Sequence, residues 1–416
     1  MIDGGASSRK AQAIVVGAGP GGSSTAWHLA QLGVDVLLLD RARFPRDKVC
    51  AEYLSPQASR LLASMGAMEQ VEASGPAHLT GMRVRAPNGC EIHGSFVARH
   101  GFRAFRDRGI AVRRSVLDAI LVQRAQAAGV RLVERARVTD VVRDASGRAC
   151  GVSVRDDDGT TRELLAPLVI GADGLRSVVG RRLGLTRVSR IPRRVAFVAH
   201  FRNVPGVSEV GEMHVERDGY VGIADVGHGL TNVALVVPAR AAREAASDPD
   251  AMLDQWLASH PHLASRFAVS ERIERVRATG PFGSSTRRAW THGAALVGDA
   301  ADFFDPFTGE GVYSALRGGE LLAPFAAEAA LSDPRASSLA LAEYERARRA
   351  EFRGKWLVEK LIGATVAVPA LINHAARALS RRKEMADLLV GVAGDFVPPS
   401  QVLRVGYFAR LLLFGV

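Results

Sequence analysis

Apolar residues fill Ala13-Ile14-Val15-Val16 and stop at Gly17-Ala18-Gly19-Pro20-Gly21-Gly22. A short, uniformly apolar run of this kind suits a strand covered on both faces, and the glycines behind it mark a tight turn. Thr25 to Leu32, small and apolar, predicts a helix, and Val34 to Leu39 a second strand, together the opening βαβ unit of a doubly wound parallel sheet. Ser115 to Ala128 repeats Val116, Leu117, Ile120, Leu121 and Ala125 at helical spacing before a strand-like Val130 to Val133. Val138 to Arg143 and Gly151 to Arg155 flank the turn Asp144-Ala145-Ser146-Gly147 and predict a hairpin; Asp157-Asp158-Gly159 makes the next turn. Leu168 to Gly171 is again a buried, parallel-type strand.

From Val195 the texture changes to alternation. Val195 to Phe201, Val210 to Val215, Tyr220 to Ala224 and Thr231 to Val237 are short runs cut by Gly and Pro, which predicts a mostly antiparallel sheet that Gly81 to Phe96 joins as earlier strands. Beyond Gly311 the chain reads as helical, broken at Asp333-Pro334, Pro369 and Pro398-Pro399. The expected fold is therefore α/β. A Rossmann-like nucleotide-binding domain is drawn from 1–80, 108–190 and 271–330, an antiparallel β substrate domain from 81–107 and 191–270, and a helical C-terminal region from 331–416.

With 416 residues, 47% of them hydrophobic, the chain can build substantial cores. Cys50, Cys90 and Cys150 are odd in number and widely spaced, and Met1 to Lys10 holds no apolar leader, so neither a disulfide framework nor a secretory signal is supported and a cytoplasmic location is expected. The apolar runs Leu361 to Ile372 and Leu411 to Phe414 fall short of the roughly 20 residues a membrane span requires. Gln401 to Phe414 mixes Arg404 and Arg410 with Leu403, Val405, Tyr407, Phe408 and Leu411 to Leu413 at helical spacing, which fits a terminal helix packed on the body or a peripheral membrane contact. The net charge is +11, yet only five of the 54 basic residues are lysine and the arginines are spread along the whole chain. That dispersion argues against a nucleic-acid patch and leaves open an acidic carrier protein or anionic lipid.

Gly17-x-Gly19-x-x-Gly22, between strand and helix, lets backbone approach a pyrophosphate at the positive helix end, with Pro20 and Gly21 in the same turn. Asp40 closes the second strand where a carboxylate accepts a ribose hydroxyl bond. These features indicate a dinucleotide. Leu168-Val169-Ile170-Gly171-Ala172-Asp173-Gly174, with Ser177 and Arg181 just beyond, and Gly298-Asp299 resemble the second and third fingerprints of FAD-dependent aromatic hydroxylases. The three motifs together resemble the p-hydroxybenzoate hydroxylase-like flavoprotein superfamily over residues 12 to 325. Lys48-Val49-Cys50-Ala51-Glu52 and Pro306-Phe307-Thr308-Gly309-Glu310-Gly311 are most similar to its branch of geranylgeranyl reductase-like enzymes and biosynthetic monooxygenases.

The resemblance implies FAD, with Asp299 on the ribityl chain and Lys48, Arg114, Arg41 and Val138 also at the cofactor. Pro306, which cannot donate a hydrogen bond, would fix the entry to a helix, and Thr308, Gly309, Glu310 and Gly311 would present free backbone N-H groups at its terminus to the flavin edge, stabilising charge that develops on reduction. Cys50 would lie beside the ring as a candidate thiol, although a free cysteine is more often a small buried hydrophobe. Tyr220, His200, His214 and His228 are candidates to polarise a substrate and equally suit core or rim positions; no histidine spacing suits a metal.

The activity first implied is monooxygenation of an aromatic or polyketide-like biosynthetic intermediate, free or carrier-bound, using NADPH or NADH and oxygen through a C4a-hydroperoxide. Reduction of carbon-carbon double bonds in a prenyl or lipid substrate is the alternative. Lys48-x-Cys50 favours it; the reductases' Tyr-x-Trp-x-Phe-Pro signature, reduced here to Tyr220-Val221-Gly222-Ile223-Ala224-Asp225, opposes it. A halogenase would carry a Trp-x-Trp-x-Ile-Pro segment and an active-site lysine, whereas Trp27, Trp256, Trp290 and Trp356 are isolated and no lysine lies between Lys48 and Lys355. A basic docking or nucleic-acid-binding flavoprotein is the non-enzymatic alternative.

Overall fold

The computed structural model describes residues 11–96, 101–188, 193–244 and 248–413; Met1 to Lys10 and Phe414, which figured in the sequence reading, lie outside them. Ala13–Val16 sits inside a six-stranded sheet ordered Trp290–Thr291, Ala294–Leu296, Leu168–Gly171, Ala13–Val16, Val36–Leu39, Arg131–Val133. All neighbours are parallel except the edge pair Trp290–Thr291 and Ala294–Leu296. Every residue of the Ala13–Val16 and Leu168–Gly171 strands is buried, as uniform apolar runs covered on both faces require. The first helix begins at Pro20 rather than Thr25. Gly21 and Gly22 read as turn residues, but Pro at the first helical position fixes φ and surrenders an N-H that had no partner there.

The predicted hairpin is present as Arg137–Arg143 with Ala149–Arg155, and it gains a third strand, Thr161–Leu165, of mostly exposed residues. The alternating segments build an eight-stranded sheet ordered Glu271–Arg272, Arg194–Arg202, Leu230–Pro238, Tyr220–Asp225, Val210–Val215, Gly81–Arg85, Glu91–Ser95, with Arg277–Thr279 also beside Arg194–Arg202. Its pairings are antiparallel except Val210–Val215 with Gly81–Arg85. Period-two alternation sends Phe197, Ala199, Val221, Ile223, Val233 and Leu235 to one face, under Leu253, Trp256 and Leu263. Ala196, Val198, Met213, Tyr220, Ala234 and Val236 go to the other.

The C-terminal part is helical and broken at the predicted prolines: Gly311–Leu331, Pro334–Val366, Pro369–Ser380, Lys383–Ala393 and Val405–Leu413. Pro20–Gln31 and Gly311–Leu331 cross closely. A Cβ on Gly319 would stand 2.7 Å from Thr25 N, and Ser24 Oγ donates to Leu316 O at 2.8 Å. This crossing places the N-terminal ends of two helices at one cleft. Among the described residues no single helix is long and apolar enough to cross a membrane; Pro334–Val366 and Pro369–Ser380 reach that measure only as a pair bent by 110°.

Candidate active site

The glycines of the first turn divide into two kinds. Gly17 has φ +96°, and a Cβ there would lie 2.5 Å from Ala172 O; one on Gly22 would lie 1.7 Å from Gly17 O. Both are demanded by backbone packing. Above Gly19 there is open space, with only Arg46 Nη2 at 3.7 Å and Arg114 Nη2 at 3.8 Å within reach of a Cβ. Two guanidinium groups and the positive end of the helix Pro20–Gln31 therefore converge on one point, the arrangement a pyrophosphate needs. Arg114 is buried and bonds Asp118 through Nε and Nη2, both at 2.8 Å, while Arg46 Nη1 reaches the same carboxylate at 3.0 Å. One fully buried acid thus sets the direction of two cations.

Asp40 fastens the turn. It accepts from Ala18 N and Ala42 N, both at 2.8 Å, and Arg46 stands 3.7 Å away. Arg41 beside it is exposed, and Val138 is in the core on the strand Arg137–Arg143. Asp173 accepts from Ser177 Oγ at 2.5 Å and Val178 N at 2.6 Å, so it organises the start of the helix Val178–Arg182; burial pushes its carboxyl up against these bonds. Asp299 follows the strand Ala294–Leu296 in a single 3-10 turn, only partly covered, with Lys48 Nζ at 3.8 Å.

Asp305 caps the next turn, accepting from Phe307 N at 3.1 Å, and also accepts from the Tyr220 hydroxyl at 2.6 Å while pairing with Arg194. Burial and the Asp305 charge push the Tyr220 phenol well above its ordinary range, so it is a fixed neutral donor. Gly309, at φ +71°, packs on Tyr53, whereas nothing lies within 4 Å of a Cβ on Gly311, the first residue of its helix.

Gly19, Pro20, Gly21, Lys48, Cys50 and Arg114 line a single cleft together with Gly298, Asp299, Tyr220 and Pro306 to Gly311. Gly17, Gly22, Asp40, Arg41, Val138 and Asp173 do not line it; the first three and Asp173 shape its frame. The opposite wall is apolar, formed by Val198, Met213, Ala234, Phe282, Phe303 and Phe304.

A family model described as FAD binding domain matches residues 10–354. The chain belongs to that family. It is an FAD-dependent oxidoreductase of the p-hydroxybenzoate hydroxylase type. Among similar proteins, digeranylgeranylglycerophospholipid reductase 2 of Methanopyrus kandleri is 31% identical over 92% of this chain and 93% of its own length. The structure of the myxobacterial chondrochloren halogenase CndH aligns with a TM-score of 0.76 at 27% identity, covering 84% of this chain and 82% of that one. A flavoprotein/dehydrogenase of Cytophaga hutchinsonii shares the fold, with a TM-score of 0.81 at 20% identity over 93% of each chain. The cleft fits the cofactor on its own geometry: an open cationic point at Gly19, a partly covered carboxylate at Asp299, and an unencumbered helix start at Gly311.

Two buried clusters at this candidate site join residues that the sequence offered singly, His200, Glu310 and the Glu52 of the Lys48 to Glu52 segment, to partners it did not point to. Glu52, at φ +60° and 2% exposed, lines the cleft. It accepts from Arg114 N at 2.9 Å, Asn232 Nδ2 at 3.1 Å and His200 Nε2 at 2.6 Å, while His200 Nδ1 meets Glu274. Burial opposes charge on the imidazole, but the bonds to Glu52 and Glu274 outweigh it and raise the His200 pKa. Asn232 also donates to Cys50 O at 3.0 Å, tying the Lys48-Val49-Cys50 segment to the cluster. On the other side, Glu310 pairs with Lys355 Nζ at 2.9 Å; Lys355 also contacts Asp395, and Glu359 lies close by. His214 is bonded to Glu212 at 2.8 Å and His228 to Ser74 O at 2.7 Å, so neither is directed into the cleft. The three cysteines are free thiols.

Proposed function

We propose that this protein reduces an isolated carbon-carbon double bond in an apolar, isoprenoid-like substrate, with NADPH or NADH as the source of reducing equivalents. Saturating such a bond places a hydride on one carbon and a proton on the other. Bound FAD, once reduced, supplies the hydride. Arg46, Arg114, Gly19, Asp299 and the backbone of Glu310 and Gly311 would hold it, the Gly309 N-H being spent on Pro306 O at 3.1 Å. The observation that carries the reading concerns the proton. Glu52 forms part of the cleft wall, and behind it His200, held between two carboxylates, connects to Glu274, which is 22% exposed. A proton entering at Glu274 can pass through the imidazole to Glu52 Oε2, and Glu52 can deliver it into a chamber with apolar walls.

The same geometry argues against a phenolic substrate. The Tyr220 hydroxyl is held by Asp305 and both His200 ring nitrogens by carboxylates, while His214 does not line the cleft, so none of these three is placed to orient a phenol. The reductase from Methanopyrus kandleri supports a lipid reaction over nearly the full chain. The reading departs from the reductase signature at Gly222 and Ala224, both of which line the cleft. Small residues there widen the chamber, and that width, with the likeness to CndH, favours hydroxylation or halogenation of a bulkier molecule as the second reading.

Anaerobic mixing of the reduced, FAD-loaded protein with a geranylgeranyl lipid separates the two. The reductase reading expects flavin reoxidation with gain of two hydrogens, both of them deuterium when the reduced protein has been equilibrated in heavy water, because the flavin N-H that supplies the hydride exchanges with solvent as the relayed proton does. Substrate that stays unsaturated without oxygen, and gains an oxygen or halogen atom when oxygen and halide are present, would overturn it.

A further inference from the structure

We infer that the C-terminal helices form a docking surface for an anionic lipid bilayer at the mouth of the cleft. On the helix Pro334–Val366 and its continuation, Leu357, Leu361, Ala364 and Val368 recur at spacings of four, three and four, a single stripe, and all are exposed. Leu371, 52% exposed, extends it onto Pro369–Ser380. The helix Val405–Leu413 packs against that element, His374 Nε2 donating to Leu411 O at 3.1 Å. Its docked face is fixed by Tyr407, which is 5% exposed and donates to Met385 O at 3.0 Å. A helix serving only to close the protein would turn polar residues outward. Here Val405 is 85% exposed, Leu412 66% and Leu413 71%, with Phe408 beside them. Both faces of this helix are apolar, and among the described residues only one has a partner.

Charge selects the occupant. Residues 360–383 contain Lys360, Arg377, Arg381, Arg382 and Lys383 without an acidic residue, and residues 396–413 contain Arg404 and Arg410, again without one. Leucine, phenylalanine and arginine interleaved on exposed helices match a headgroup boundary with negative lipids. Position supplies the purpose. Lys360 Nζ sits 4.5 Å above the Phe304 ring, Phe304 stacks edge-on to Trp356, and both aromatic rings line the cleft. Lys360 therefore stands between the cleft wall and the exposed stripe, so an apolar chain leaving a bilayer would enter without crossing water. This use of the surface rests on the lipid-reductase reading, but binding to a bilayer does not.

The full FAD-loaded chain is sedimented with phosphatidylcholine vesicles, alone or with about one-third phosphatidylglycerol. Strong, salt-sensitive binding to the anionic vesicles is expected, weakened at least tenfold by Leu371→Glu with Leu412→Glu at unchanged FAD occupancy, since each buried leucine contributes about a decade. Arg404→Glu with Arg410→Glu should lower binding to the anionic vesicles alone. No vesicle binding, or binding equal in the leucine variant, would overturn the inference. So would a dimer in solution that the leucine variant splits, because the face would then be covered by a second copy. A leucine variant that still reduces detergent-dispersed substrate leaves the reductase reading standing whichever way the sedimentation falls.

Discussion

Replacing Lys355 by methionine, of similar length and no charge, removes the cation that pairs with Glu310 and Asp395 beside Glu359. Lys355 is 7% exposed, Nζ is 2.9 Å from Glu310 Oε2, and it stands 4.6 Å from the Tyr313 ring centroid. At an effective dielectric constant of about 20, one charge pair at that distance attracts by roughly 6 kcal/mol before desolvation is subtracted. Removing one member of a buried pair costs about 3–5 kcal/mol, and that is the loss expected at alkaline pH. The pH dependence identifies the cause. Burial, reinforced by Glu310 and opposed by Lys355, pushes the Asp395 carboxyl from 3.8 up to about 7, and burial also pushes Glu359 well up. A carboxyl with a raised folded value binds its proton more tightly in the native state. Its contribution is fully present below the unfolded value near 4 and is lost as pH rises through the folded one. Without the lysine the folded values rise further, so Lys355→Met should be several kcal/mol less stable at pH 8 but close to wild type at pH 5. Urea unfolding of the FAD-loaded protein, followed by tryptophan and flavin fluorescence at both pH values, measures this. A loss below about 1 kcal/mol, or one equal at both pH values, would refute the reasoning.

Asp299→Ala should purify largely without FAD, measured as the flavin-to-protein absorbance ratio; full occupancy would remove Asp299 from the site. Gly22→Ala pushes a methyl to 1.7 Å from Gly17 O, so the turn must open, and the expected result is loss of both FAD and cooperative unfolding. Glu52→Gln keeps the shape of the side chain but cannot relay a proton, and should lower substrate-dependent flavin reoxidation about a hundredfold or more while FAD reduction by NADPH is retained. In His200→Gln the stability gap to wild type should be widest below the unfolded histidine value of 6.5 and close as pH rises through the raised folded value.

Hydrophobic pattern revealed the parallel sheet because its strands are buried on both faces, and alternation revealed the antiparallel sheet because each of its faces meets different neighbours. Thr161–Leu165 carried no such signal: its side chains are mostly exposed, and its strand geometry comes from pairing with Ala149–Arg155. The tight turn that frames the candidate site was legible in the glycine spacing, since packing at Gly17 and Gly22 is local. The joining of Glu52, His200 and Glu274 was not, although His200 was a candidate by itself, because 148 and 74 residues separate the bonded partners and no spacing encodes that meeting. Asp118 could have been found. It stands four residues beyond Arg114, the separation at which an acid and an arginine share one helix face. Glu310 was read for its backbone, and the lysine that takes its side chain comes from a helix 45 residues later, beyond the reach of a local motif.

The crossing of Pro20–Gln31 with Gly311–Leu331 makes the cofactor a clamp between the beginning and the last third of the chain. Both helix starts line the one cleft, so a nascent chain is expected to retain FAD only once residues beyond Gly319 are available to pack on Ser24 and Thr25. Occupancy then reports completed long-range assembly. Conditions or substitutions that loosen the crossing should release flavin before the sheets themselves unfold, and excess FAD should protect the crossing by mass action.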